Sequence, residues 1–164
     1  MLEEIRISGL GVIDEAVLEL APGLITLTGE TGAGKTIVLN ALGLISGGRV
    51  SSDIIRRGEE EAGVEALFSA LPRPLREKLR EGGYGEEDEM VIKRIVSRSG
   101  KNRIYLNGSL CPLGFLGEVG GCLIHIYGQH EHQALLTPET HLRLLDSYGG
   151  LEPKAEDMKE KYCS

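Results

Sequence analysis

Residues Gly29, Glu30, Thr31, Gly32, Ala33, Gly34, Lys35 and Thr36 fit the pattern G-x-x-x-x-G-K-[ST], and their flanks constrain the fold more than any other part of the chain. Before them, Leu24, Ile25, Thr26, Leu27 and Thr28 form a β-rich run of strand length. After them, Ile37, Val38, Leu39, Ala41, Leu42, Leu44 and Ile45 make an almost continuous apolar stretch suited to a helix buried on a sheet. Strand, glycine turn and helix in that order imply an α/β fold with an anion site at the helix start. Glycines let the backbone turn tightly and aim N–H groups at phosphate. Lys35 supplies a point charge for the β- and γ-phosphates, and Thr36 a hydroxyl for Mg²⁺. The expected ligands are ATP and Mg²⁺.

The 164 residues suffice for one domain with its own core, and 41% apolar with 26% charged residues is ordinary for a globular protein. No apolar run is long enough for a membrane span, and the acidic start (Glu3, Glu4) is unlike a signal peptide. Cys111, Cys122 and Cys163 form no spaced pair, which points to a reduced, cytoplasmic setting.

Along the chain, the pattern predicts strands over residues 1–10 and 16–20, then the strand feeding the glycine turn and the helix to Ile45. Further strands are expected at 64–68, 91–96, 103–106 and 122–127. A short surface helix is expected over 72–80, with Leu75 and Leu79 at i, i+4, and another from Thr137 toward Gly149. Residues 64–106 read as an antiparallel β-subdomain, 1–150 as one unit, and 151–164 as a polar helical start.

A net charge of −7 argues against a general nucleic-acid binder, but the charge is unevenly spread. Residues 90–117 contain no acid, while Lys93, Arg94, Arg98, Lys101 and Arg103 cluster there. Two readings stay open for this group: a solvated strand face, or a weak DNA phosphate-contacting patch.

The strings 29–36, 43–49, 55–58, 102–108 and 124–133 together resemble the SMC-like group of ABC ATPases that act in bacterial DNA double-strand break repair. The resemblance runs from Leu2 to about Leu151. It implies the N-terminal lobe of an ABC/SMC-type head, with a mixed sheet around the phosphate-loop helix. It implies a long coiled coil from about residue 151, the protein's own C-terminal half-head as partner, a homodimer sandwiching ATP, DNA as substrate, and a nucleoid location. Gln129 then corresponds to the glutamine that reaches Mg²⁺ and the attacking water. Arg56 or Arg57 corresponds to an arginine approaching the γ-phosphate or DNA.

The departures are informative. Ser46, Gly47, Gly48 and Arg49 mimic the ABC signature but lie too close to the phosphate loop, so they read as a helix end and turn. Leu142 to Asp146 mimics the Walker B strand, yet Arg143 interrupts it and Ser147 stands where the glutamate belongs. The signature and the general base are therefore expected outside this chain, which alone should be inactive. His125, His130 and His132 lack the i, i+4 spacing of a helical metal pair. Two rival classes remain: a self-contained kinase, and a module that holds nucleotide without catalysis.

Overall fold

The computed structural model describes residues 1–29, 33–126, 142, 145, 146 and 148–162. It divides into two units, Met1–His125 and Ile126–Ser164.

The first unit is built on a six-stranded antiparallel sheet. Its strands are β1 (Leu2–Leu10), β2 (Ile13–Glu19), β3 (Glu61–Phe68), β4 (Met90–Ser97), β5 (Asn102–Leu106) and β6 (Ser109–Leu110), in the order β2-β1-β3-β4-β5-β6. Period-two alternation assigns one face to the interior. Ile5 and Ile7 of β1, Val64, Ala66 and Phe68 of β3, and Ile92 and Val96 of β4 are all buried. Across them lies α1 (Ala33–Ile45), which packs on β3 and β4. Its buried residues Ile37, Ala41, Leu44 and Ile45 fall at helical spacing, and each large side chain contributes roughly 1.5–3 kcal/mol by leaving water.

Two more helices cover the same core. α2 (Arg73–Glu81) buries Leu75 and Leu79, with Pro74 in its first turn. α3 (Leu113–Leu123) buries Leu116, Val119 and Gly120. Asn107 takes a positive φ of 47° in the turn before β6, where its side chain accepts from the Val91 N–H at 2.8 Å and donates to the Tyr84 carbonyl at 2.9 Å. In the second unit, α4 (Glu152–Tyr162) is a polar helix.

Three expectations change. Residues 24–28 form no strand: the run is unpaired, with Leu24 96% exposed. The sheet among the described residues is therefore wholly antiparallel, and the strand that would make it mixed has no neighbour. Residues 122 and 123 belong to α3, and 124–126 are unpaired, so no strand forms over residues 122–126. Finally, β2 begins at Ile13, earlier than residue 16. No helix of the described residues is long and apolar enough to cross a membrane.

Candidate nucleotide-binding site

The glycine loop opens α1, as the residue pattern requires. Gly34, Lys35 and Thr36 are exposed in its first turn, one step before the buried Ile37 anchors the helix to the sheet. The free N–H groups of this first turn and the positive end of the helix dipole suit an anion. Lys35 Nζ donates to the Gly29 carbonyl at 2.7 Å, so the ammonium is held across the loop by its own backbone. Among the described residues, nothing beyond its chain neighbours and its own helix backbone stands within 4 Å of where a Cβ on Gly34 would lie. Of the loop, Glu30, Thr31 and Gly32 lie outside the described residues, as does the side chain of Ala33. Gln129, His130 and His132 also lie outside them.

The Arg56–Arg57 segment is braced from two sides. The Gly11 N–H donates to the Ile54 carbonyl at 2.7 Å and the Arg56 N–H to the Gly9 carbonyl at 2.8 Å, tying it to the β1–β2 hairpin. From the far side Arg98 donates to the carbonyls of Glu59 at 2.5 Å and Arg56 at 2.8 Å. Within this frame Arg56 pairs with Asp14 at 3.1 Å, whereas Arg57 is exposed and enters no ion pair among the described residues.

The five cations grouped in sequence do not form one surface patch. Lys93 faces outward and pairs with Glu65 at 2.9 Å. Arg103 pairs with Glu61 at 2.6 Å. Alternation sends Arg94 to the opposite side of the sheet, where it is 1% exposed and cannot touch DNA. Arg98 is engaged with backbone carbonyls, and Lys101 is exposed at the β4–β5 turn. Sequence clustering missed this because cross-strand neighbours, Glu65 and Glu61 on β3, are remote along the chain. Among the described residues no group of His, Cys, Asp and Glu is arranged to hold a metal.

A family model described as AAA domain matches residues 4–118, the span that contains the glycine loop, α1 and all of the sheet but the first two residues of β1. The chain belongs to this AAA-domain family. Within it, the chain is similar to DNA repair protein RecN of Halalkalibacterium halodurans, at 43% identity over 99% of this chain and 29% of that protein. It is 42% identical to RecN of Bacillus subtilis over 93% of this chain and 27% of the relative. The chain thus spans under a third of the length of these RecN proteins. Among solved structures, the Smc head domain with a coiled coil and joint from Pyrococcus yayanosii aligns over 98% of this chain and 34% of that chain, with a TM-score of 0.67 and 22% identity. RecF bound to ATP aligns over 88% of this chain and 36% of that chain, with a TM-score of 0.61 and 22% identity. This AAA-domain chain therefore has the fold of an SMC or RecF ATPase head, in its N-terminal lobe.

Proposed function

We propose that this chain is the ATP-binding N-terminal portion of a RecN-like ATPase that acts in DNA double-strand break repair. The observation that carries the reading is the glycine loop at the start of α1, with Lys35 poised over it and Thr36 exposed beside it. Residues 29–36 would hold the triphosphate, Thr36 and Gln129 would hold Mg²⁺, and the bound ion would neutralise charge on the transferring phosphoryl group. Lys35 would exchange the Gly29 carbonyl for phosphate oxygens. Gln129 would orient the attacking water.

Two features support a need for further protein beyond these residues. Leu24, Ile25 and Leu27 are exposed on an unpaired β-rich run, and Leu39 of α1 is 52% exposed. A strand partner and an apolar face from a C-terminal half-head would cover them. In α4 and just before it, Leu151, Ala155, Met158 and Tyr162 are exposed at 4-3-4 spacing, the stripe of a helix that enters a coiled coil. The signature motif and general base would come from that other half, homodimerisation would bring two heads around ATP, and the assembly would act in the cytoplasm on the nucleoid. Arg57, rather than Arg56, is the arginine available to approach nucleotide or DNA.

Calorimetric titration with Mg–ATP, compared with Lys35→Ala, tests the binding. ATP turnover by this chain alone and after adding the C-terminal portion of a RecN relative tests the rest. Binding lost in the variant, with turnover only in the mixture, is expected. Vigorous Lys35-dependent turnover by the chain alone would instead identify a self-contained enzyme.

A further inference from the structure

Residues 46–49, which mimic a signature motif, follow α1 directly in the turn at its C-terminal end. Every carbonyl from Leu42 to Leu44 is engaged. The Ser46 N–H and Oγ both donate to Leu42 at 3.0 Å, the Gly48 N–H donates to Gly43 at 2.8 Å, and Arg94 Nη1 donates to Leu44 at 2.7 Å. The same Nη1 donates to the Gly48 carbonyl at 2.8 Å, while Arg94 Nε donates to Asn102 Oδ1 at 3.1 Å. This buried guanidinium has no carboxylate partner among the described residues, and Nη2 has no hydrogen-bond partner. Its compensation is the negative end of the α1 dipole, an arrangement costly to desolvate and so poorly explained by stability alone.

The opposite side of the same turn is closed by α3. A Cβ on Gly47 would lie 2.5 Å from the Gly117 Cα, and one on Gly120 would overlap the Ser46 backbone. Gly47 also has a φ of +89°, which disfavours any side chain. Backbone therefore meets backbone between α1 and α3 with no side chain to yield. From Leu123 the chain leads on, in sequence, to Gln129.

We propose that Arg94 and the Gly47–Gly117–Gly120 contact form a positioning junction that grips the far end of the phosphate-loop helix. The junction holds α1 between β4 and α3, so the exposed loop at its other end is presented in one orientation. This inference rests on the ATP-binding reading above. Arg94 does not touch nucleotide; it acts through α1, whose described first-turn residues Gly34, Lys35 and Thr36 are exposed.

The test titrates the full chain with Mg–ATP for Arg94→Met, Arg94→Lys and Gly120→Ala, with Leu79→Ala in the α2 core as a control for lost stability. At a temperature where circular dichroism shows each variant folded, Arg94→Met and Gly120→Ala should bind roughly 3- to 30-fold more weakly. Arg94→Lys should recover part of the loss, and Leu79→Ala should bind as wild type. Wild-type affinity in folded Arg94→Met and Gly120→Ala would overturn the junction while leaving ATP binding intact. Absence of Lys35-dependent binding by the unmodified chain would sink both readings together. If either variant fails to fold, amide exchange on the unmodified chain decides. Mg–ATP should slow exchange at residues 44–48 and 117–120, and unchanged rates there would overturn the proposal.

Discussion

Arg103 on β5 reaches across β4 to Glu61 on β3, and a single guanidinium nitrogen donates to both carboxylate oxygens at 2.6 and 2.7 Å. Four residues along β3, Glu65 pairs with Lys93 of the adjacent strand at 2.9 Å. The outward sheet face therefore carries its cations already neutralised by neighbours.

That pairing sets an expectation for DNA. Duplex binding by this chain should be weak, and Lys93→Ala with Arg103→Ala together should change the slope of log affinity against log salt by less than about one phosphate contact. Arg57→Ala or Lys101→Ala should change it as much or more. Fluorescence anisotropy over a salt series decides; a drop of two full contacts in the first pair would restore the strand patch.

Lys35→Ala should leave the fold intact. The side chain is exposed and, among the described residues, bonds only to the Gly29 carbonyl, so the loss should stay within about 0.5 kcal/mol. Urea unfolding measures it. A loss several times larger would mean that the ammonium props the loop structurally.

Arg56 and Arg57 should separate. Arg56→Ala removes an exposed pair with Asp14 and should cost about 0–1 kcal/mol of stability. Arg57→Ala should cost none, yet lower turnover in a reassembled head. Thermal unfolding and a turnover assay run side by side would expose the reverse pattern.

The thiols offer a pH test. Burial pushes the Cys111 thiol above its ordinary range, although Tyr84 partly opposes the shift, while Cys122 is exposed. In a Cys163→Ser background, alkylation at pH 8 should modify Cys122 and spare Cys111. Because the folded state holds the Cys111 proton more tightly than the unfolded chain, its stabilising contribution is present below the unfolded thiol value. It is lost as pH climbs toward the folded value. Mass spectrometry after a short pulse checks the labelling, and equal modification at pH 8 would contradict the burial.

Much of this architecture was legible in residue order. α1 was legible in its nearly continuous apolar run, and β3, β4 and β5 in their short β-rich runs, because each has buried apolar positions. α3 was missed for a physical reason: Gly114, Gly117, Gly120 and Gly121 make it a poor helix by propensity. One of those glycines, Gly120, is what the close approach to the turn after α1 demands, so tertiary contact overrides local preference. The run at 24–28 failed oppositely. Its residues favour a strand, but a strand needs a neighbour, and none of the described residues supplies one. Arg94 was legible as a cation but not as a buried one, although the alternation of β4 already assigned it to the side of Ile92 and Val96.

The bare run at 24–28 also governs how samples of this chain should be handled. Three exposed aliphatic side chains on a β-rich segment that pairs with no strand among the described residues are a template for pairing with another copy. Self-association should therefore rise with protein concentration, and it would bury the very residues that lead into the phosphate loop. An apparent loss of nucleotide affinity in concentrated samples would then report crowding of identical chains rather than chemistry at Lys35. Dilution series belong in every binding measurement on this molecule.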